Sequence, residues 1–294
     1  MADNANQADL VLISDIAGPN WFQDLRENES VKDPYKCFVV ADGDIPMPLL
    51  HGVYTSNHNR LKFQSRFRTG AYNLFPKGVH NPFVVQDSGE SYAMPKKFLY
   101  SFIGQDSSPL RLKLFQHQST RDDVYIANMT SFFNAHQHKE DHLQYQKTYC
   151  DIIHSSKFVL CPKGTSGASI RLFEVMKMGA APVIISDDWI LPRGPQWDEC
   201  SISIKEKNLN QLDIILEERE KDYAAIGARA RQVYQEFFAD EVYFNYLIDQ
   251  IIDIQISQKI PESLFWSFRN IVVWYWMMQR RWQFLKKNCT IYFL

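Results

Sequence analysis

One continuous segment, residues 157–192, constrains the fold of this chain more than any other part of the sequence. It reads KFVLCPKGTSGASIRLFEVMKMGAAPVIISDDWILP. Apolar runs at residues 157–161 and 181–185 are typical of strands buried in a parallel sheet. Between them lie a loop of small residues at 162–168 and a helical pattern at 169–178, which ends at a glycine as helices commonly do. The segment therefore predicts a strand–turn–helix–strand unit of an α/β fold.

The loop that joins the first of these strands to the helix has the features of an anion-binding site. Gly164 and Gly167 let backbone N–H groups approach a ligand closely. Unpaired backbone N–H groups are expected near Gly164–Ser169, and the helix start adds the positive end of its dipole. Lys163 adds a point charge beside them. We therefore expect a phosphate-bearing ligand here.

Two charged residues of the predicted helix make that ligand more specific. Arg171 and Glu174 lie one helical turn apart and share a face. Arg171 is close enough to the helix start to reach a phosphate with its planar guanidinium, and we expect Glu174 to accept hydrogen bonds from two sugar hydroxyls. The spacing leaves open a plain Arg–Glu pair on a solvated helix face.

The wording of the segment resembles the signature of the exostosin-type glycosyltransferases (family 47). The family pattern is a SKFCL-P-G strand and loop, an S-R--EA---G helix and a PVI-SD---LP end. The matching positions are Ser156, Lys157, Phe158, Pro162, Gly164, Ser169, Arg171, Glu174, Gly179, Pro182, Val183, Ile184, Ser186, Asp187, Leu191 and Pro192. Departures at residues 167–168 and 180–181 remove no polar group. A weaker resemblance extends over about residues 37–204.

This resemblance implies a GT-B architecture, in which two Rossmann-like lobes with parallel sheets face a central cleft and the C-terminal lobe holds a nucleotide-diphospho-sugar. It implies an inverting transfer without metal or cofactor to a glycan or lipid-linked glycan, in surface polysaccharide synthesis. The implied donor-binding residues are Arg111, Lys163, Gly164, Ser166, Gly167, Ser169, Arg171, Glu174 and Asp187. For Arg111 a surface position on an amphipathic helix stays open, and for Asp187 a turn cap.

An inverting transfer also needs a general base on the acceptor hydroxyl. Asp42-Gly43-Asp44 follows a predicted strand at residues 36–41. It matches the Asp-x-Asp motif of metal-dependent GT-A transferases, but it is predicted to lie in the opposite lobe from the phosphate-binding segment. Two interpretations stay open: an ordinary turn, or a general base that lines the cleft. The candidate bases are Asp44, Asp42 and His51, with His58 and Asp15 as alternatives.

Strand and helix patterns alternate along the chain, which favours doubly wound parallel sheets. Further strands are predicted at residues 9–14, 97–103, 124–127 and 201–204, and helices at 110–117, 138–154, 208–218, 222–237 and 240–256. Residues 57–81 show no period and are predicted to be irregular. We expect an acceptor-side lobe at residues 1–92, a nucleotide-sugar-binding lobe at 93–258 and a tail at 259–294.

The tail has a composition of its own. From residue 263 onward it contains no Asp or Glu, and its basic residues are Arg269, Arg280, Arg281, Lys286 and Lys287. Tryptophan interleaved with cations is typical of a helix at a membrane interface, and the apolar run at 271–278 is too short to span a bilayer. Two interpretations stay open: peripheral membrane contact through residues 263–289, or a helix that packs back on the N-terminal lobe.

Composition narrows the remaining choices. The formal net charge of -2 gives no reason to expect a nucleic-acid partner. The five cysteines are far apart, as expected of reduced thiols in a cytosolic protein, and residues 1–10 lack the pattern of a signal peptide. The histidines His136, His138, His142 and His154 are expected on a polar helix surface rather than on a metal. The main alternative function is a non-catalytic nucleotide- or glycan-binding protein on the same fold.

Overall fold

The computed structural model describes residues 7–14, 25–29, 31–44, 49–72, 81–130, 139–275 and 277–278 of the 294-residue chain. The strands are β1 (Val11–Ser14), β2 (Cys37–Ala41), β3 (Gly52–Tyr54), β4 (Phe67–Arg68), β5 (Phe98–Gly104), β6 (Val124–Asn128), β7 (Ser156–Pro162), β8 (Ala181–Ile185) and β9 (Ile202–Ser203). The helices are α1 (Pro82–Val85), α2 (Pro109–Phe115), α3 (Lys139–His154), α4 (Ile170–Lys177), α5 (Trp197–Cys200), α6 (Leu212–Glu218), α7 (Tyr223–Val233), α8 (Asp240–Ser257) and α9 (Glu262–Ser267). They combine into an α/β fold with two parallel sheets, which confirms the predicted fold class.

The N-terminal sheet has the strand order β1-β2-β3-β4, and every neighbouring pair is parallel. β2 is buried along its whole length, as its apolar sequence predicts. β4 corrects the sequence analysis, because it falls inside the segment predicted to be irregular. The strand has only two residues, and one of them is Arg68, whose buried guanidinium donates to Asp253 at 2.5 Å. The partner of Arg68, Asp253, lies on a distant helix. The sequence around β4 therefore lacks the apolar pattern that predicts a buried strand.

The C-terminal sheet has the order β6-β5-β7-β8-β9, again with all pairs parallel. Chain order reverses between β5 and β7, and ligands of such sheets bind outside the carboxyl ends of the strands at this switch point. The strand–turn–helix–strand unit predicted from the sequence is confirmed as β7, α4 and β8. The helix stops at Gly179, whose φ of 71° is the left-handed conformation that favours glycine.

Helix α8 joins the two lobes. On the N-terminal side, the Tyr243 hydroxyl accepts from the backbone N–H of Ala71 at 2.8 Å and donates to its carbonyl at 2.9 Å. The Tyr246 hydroxyl donates to the carbonyl of Thr69 at 3.0 Å, and its ring packs on Phe238 of the C-terminal lobe. The carboxyl-end loops of the two sheets are thereby held facing each other. The lobe boundaries at residues 92 and 258 stay a prediction.

The start of the tail packs on the N-terminal lobe. Trp266 of α9 and Val273, in the helical residues 269–275, are buried in the same cluster as Tyr54 and Phe67. For the face that carries them, the structure agrees with the back-packing interpretation of the sequence. In the described part of the chain, no helix combines the length and the apolar character needed to cross a membrane.

Candidate active site

Two arginines cross the gap between β5 and β7 in opposite directions. Arg111, on α2 after β5, donates from Nε to the carbonyl of Lys163 and from Nη2 to that of Pro162, both at 3.2 Å, where β7 ends. Arg171, on α4 after β7, donates from Nη2 to the carbonyl of Ile103 at 2.6 Å, where β5 ends. The two predicted cations therefore meet at the switch point of the sheet.

Their positions follow from local sequence. Ser108 accepts a hydrogen bond from the Arg111 backbone N–H at 3.3 Å, and Pro109 occupies the first turn of α2, so the helix starts where a cap and a proline place it. Arg171 is the second residue of α4 and only 7% exposed. A plain Arg–Glu pair on a solvated face is therefore excluded for Arg171, because this side chain is not on a solvated face.

Both guanidinium groups lie beside the ring of Phe102, and the Arg171 side chain is buried while Arg111 is half-buried. Their Cζ atoms lie 5.6 Å (Arg111) and 4.6 Å (Arg171) from the centroid of the Phe102 ring. Burial, with the charge of Arg171, lowers the pKa of Arg111 to about 10. Nε and Nη1 of Arg171 are buried and have no hydrogen-bond partner. Buried donors without an acceptor, next to a second cation, are stabilised by an anion.

The loop between β7 and α4 opens onto these arginines. A Cβ added at Gly164 would lie 3.2 Å from Nη2 of Arg111, so a larger residue would crowd the guanidinium. Ser169, the N-terminal flanking residue of α4, has a buried hydroxyl with no hydrogen-bond partner in the structure. The first turn of α4 and this hydroxyl add hydrogen-bond donors near Arg171. The anion site itself stays a prediction.

Glu174 is held by a residue that the sequence analysis missed. The hydroxyl of Tyr149, on α3, donates to Oε2 of Glu174 at 2.6 Å. Burial and then the Glu174 charge raise the pKa of Tyr149 well above its usual value, which keeps the hydroxyl protonated as a donor. The Tyr149 ring also lies 5.7 Å from Cζ of Arg171. No local pattern signals this contact, because the two partners lie on different helices.

Two further residues of the predicted donor site, Lys163 and Asp187, both contact Glu206. Lys163 Nζ lies 2.6 Å from Glu206 and 3.6 Å from Asp188, so part of its charge is already balanced. Asp187 is exposed and exchanges hydrogen bonds with Glu206, since each backbone N–H donates to the other's carboxylate, at 3.0 and 3.3 Å. Asp187 therefore has the contacts of a turn cap, which is the alternative that the sequence left undecided.

The two lobes meet across the cleft at Asp44. Its Oδ1 accepts from the hydroxyl of Tyr72 at 3.1 Å and lies 3.5 Å from the hydroxyl of Ser166, in the loop of the opposite lobe. Asp42 lies deeper: it is 5% exposed and accepts from Thr55 at 3.1 Å. Of the two carboxylates, Asp44 is the one that faces both solvent and the loop between β7 and α4.

A second contact between the lobes lies beside the first. The indole N–H of Trp189 donates to the carbonyl of Thr55 at 2.9 Å. A Cβ at Gly167 would lie 2.9 Å from Cβ of Trp189, so the absence of a side chain at Gly167 lets the loop pack against the ring. The predicted loop glycine thus serves a close approach between lobes.

His51 is not brought together with these residues. It is 1% exposed, stacks on Phe38 at 3.8 Å between ring centroids, and pairs through Nδ1 with Gln258 at 2.7 Å. Its buried side chain belongs to the contact between the N-terminal lobe and the tail, which gives an acceptor no access. His58 is half-buried beside Arg60. Asp15, His136 and His138 lie outside the described residues.

Two parallel-sheet lobes, with paired arginines at the switch point of one and a carboxylate on the other, define the class of two-lobed α/β proteins. The family model described as the Exostosin GT47 domain matches residues 53–219, which is more than half of the chain. The chain belongs to this family, as the signature in its sequence predicted.

Individual relatives are more distant. An exostosin-1 homolog from Caenorhabditis elegans is 26% identical over 180 residues, which cover 56% of this chain and 47% of that protein. A probable beta-1,4-xylosyltransferase, IRX10, from Arabidopsis thaliana is 39% identical over 71 residues, 24% of this chain and 17% of that one. The chain thus spans less than half the length of these relatives. Among solved structures, TarM matches this chain with a TM-score of 0.46 and 12% sequence identity. The match covers 86% of this chain and 55% of the TarM chain.

Proposed function

We propose that this protein is an inverting glycosyltransferase that moves a sugar from a nucleotide-diphospho-sugar to a glycan or a lipid-linked glycan. The observation that carries the proposal is the crossing of Arg111 and Arg171 at the switch point, with Nε and Nη1 of Arg171 buried and unpartnered. Membership of the Exostosin GT47 family supports the reaction class. Surface polysaccharide synthesis is the process that such a transfer would serve.

The donor half of the proposal rests on charge. A leaving nucleoside diphosphate gains negative charge as the glycosidic bond breaks, and cations already in position stabilise it without reorganisation. Arg111 and Arg171 supply two such charges, and the N–H groups at the start of α4 supply further donors. With this cationic set we propose a transfer that does not depend on a metal ion. Glu174, held by Tyr149, would accept hydrogen bonds from the ribose or the sugar.

For the acceptor, the proposed general base lies on the N-terminal lobe. In the proposed step Asp44 takes the proton of an acceptor hydroxyl, whose oxygen forms a bond to the anomeric carbon. The bond from that carbon to the diphosphate oxygen breaks on the opposite face, and the electron pair leaves with the nucleoside diphosphate. Asp44 suits this role because it is exposed and lies 3.5 Å from Ser166 of the donor-side loop.

A panel of nucleotide-sugars, incubated with the full chain in EDTA, tests the proposal by the release of nucleoside diphosphate. We expect slow release from one donor without acceptor and none from Arg171→Ala. The matched control is Arg121→Ala, which removes an arginine paired with Asp123 in the same lobe, outside the switch point. Release that requires a divalent cation would contradict the metal-independent part, and unchanged release by Arg171→Ala would contradict the site. Nucleotide binding without release, with any acceptor tried, would instead identify a binding protein.

A further inference from the structure

The helical part of the tail has two apolar faces, and only one of them is covered. Glu262, Trp266 and Val273 recur at helical spacing and are buried against the N-terminal lobe. The other face carries apolar side chains at successive intervals of four and three residues. They are Leu264 (51% exposed), Phe268 (52%), Ile271 (62%), Tyr275 (59%) and Met278 (47%). Trp274, 59% exposed, lies beside this row.

The N-terminal lobe adds one exposed aromatic ring, Phe63, beside α9. The Phe63 ring is 55% exposed and lies 5.0 Å, centroid to centroid, from that of Phe265 on α9. Phe63 has φ 60° and ψ 51°, and among the described residues it is the one non-glycine with a positive φ. A bulky residue keeps this conformation only where its surroundings impose it. The backbone here holds a large apolar ring at the surface, next to the exposed face of the tail.

We propose that this surface, made of Phe63, Leu264, Phe268, Ile271, Tyr275 and Met278, docks the protein on an anionic lipid surface. The positive charge of the tail favours an anionic lipid surface as the partner. From residue 263 onward the sequence has five basic residues and no acidic one, whereas the whole chain has a formal net charge of -2. Apolar and aromatic residues on one helix face, with cations nearby, bind the interface of negatively charged bilayers.

A second copy of the chain fits this surface less well. A second copy would bring the same basic composition, with no acidic residue from residue 263 onward, and like charges oppose association. Self-associating helices with a row of this spacing usually carry charges of both signs along its flanks, and here the acidic partners are missing from the sequence. The lipid surface supplies the opposite charge that a second copy lacks.

The docking surface belongs to the lobe that would present the acceptor. If the proposed function holds, contact through this surface brings the acceptor-side lobe to the bilayer and favours a lipid-linked acceptor over a free glycan. This consequence rests on the proposed function, but the docking itself does not, because no donor-site residue takes part in it.

Sedimentation of the full chain with vesicles tests the docking. We expect binding to phosphatidylcholine vesicles that contain phosphatidylglycerol, weak binding to phosphatidylcholine alone, and a loss of binding as salt is added. The double variant Phe268→Ser with Ile271→Ser should lower the partition coefficient at least about tenfold. The matched control is Phe244→Ser with Ile214→Ser, at positions 60% and 61% exposed outside the tail, and it should bind like the wild type.

Three results would overturn the inference: no vesicle binding by the wild type, an equal loss in both double variants, or a dimer in solution that the Phe268→Ser, Ile271→Ser variant dissociates. Nucleoside diphosphate affinity, measured by calorimetry without vesicles, separates this test from that of the proposed function. A chain that binds vesicles but no nucleotide would contradict the function and leave the docking in place. The reverse outcome would do the opposite.

Discussion

The backbone of Gly104 lies against the guanidinium of Arg171: a Cβ added at Gly104 would stand 2.8 Å from Nη2 of Arg171. Gly104 is the last residue of β5, one position after the carbonyl of Ile103 that Arg171 binds. The missing side chain thus gives the arginine its place at the switch point. A glycine outside the loop between β7 and α4, on a neighbouring strand, belongs to the candidate site for this reason.

Gly104→Ala should weaken nucleoside diphosphate binding at least about tenfold, because the loss of one charge-assisted hydrogen bond has about this effect. The fold should lose little stability, since the atom that must move is the end of a flexible side chain. Calorimetric titration with the nucleotide and a thermal melt measure the two effects. Gly227→Ala is the contrasting variant: its Cβ would stand 2.5 Å from the backbone carbonyl of Gly179, so it should destabilise the fold. Unaltered affinity in Gly104→Ala would remove Gly104 from the site.

Tyr149→Phe should act on the nucleotide through Glu174. The variant removes the hydroxyl that donates to Glu174 Oε2 at 2.6 Å and keeps the ring beside Arg171. If Glu174 binds the ribose, affinity should fall about three- to tenfold for a ribonucleoside diphosphate and less for its 2′-deoxy analogue. A purely structural role would lower both affinities alike. Tyr100→Phe is the control, since it removes a hydroxyl that donates to Asp213 at 2.5 Å, away from Glu174.

Local pattern was enough to predict the central strand–turn–helix–strand unit of the C-terminal sheet. The unit of β7, α4 and β8, with its glycine stop, depends on residues that are neighbours in sequence, and the structure follows it closely. Contacts between distant residues were out of reach. Tyr149 is 25 residues from Glu174, and Arg66 is 196 from Glu262, so no spacing rule connects either pair.

His51 also shows that contacts between distant residues cannot be predicted from local sequence. A histidine of the predicted acceptor lobe is a reasonable candidate base, although its neighbours Leu49, Leu50 and Val53 are apolar. The residues that cover it, Gln258 and Glu262, come from the far end of the chain. Burial therefore depends on how the tail packs, which the composition of the tail left undecided between lobe and membrane.

Asp44→Asn should lower turnover about 100-fold or more while the donor still binds. A general base contributes about 10²- to 10⁴-fold to a rate, and the amide keeps the hydrogen bond from Tyr72 that positions the side chain. Initial rates with a saturating acceptor give kcat, and calorimetry gives the donor affinity. His51→Asn is the comparison, because its site is buried away from the cleft. A larger loss of kcat in His51→Asn than in Asp44→Asn, at equal stability, would move the base to His51.

Stability should fall as the solution is acidified below about pH 6.5, the ordinary pKa of histidine. Burial lowers the pKa of His51 in the folded protein, although Glu262 opposes the shift. The unfolded chain therefore binds a proton at a higher pH than the folded one, so acid favours unfolding until the folded pKa is passed. Urea unfolding at pH 7.5 and 5.5 measures the slope, which should be smaller in His51→Gln. The same slope in both proteins would show that His51 carries none of it.

Arg66→Met should cost about 3–5 kcal/mol of unfolding free energy, because it leaves the Glu262 carboxylate buried without its cation. Arg66 donates to both carboxylate oxygens, at 2.9 and 2.6 Å, and the side chain of Glu262 is fully buried. Arg121→Met, which breaks the more exposed pair with Asp123, should cost no more than about 1 kcal/mol. Adding Glu262→Leu to Arg66→Met should restore much of the loss, since it removes the stranded charge. If urea unfolding instead showed the two losses adding up, the contact between tail and lobe would depend on packing rather than on this ion pair.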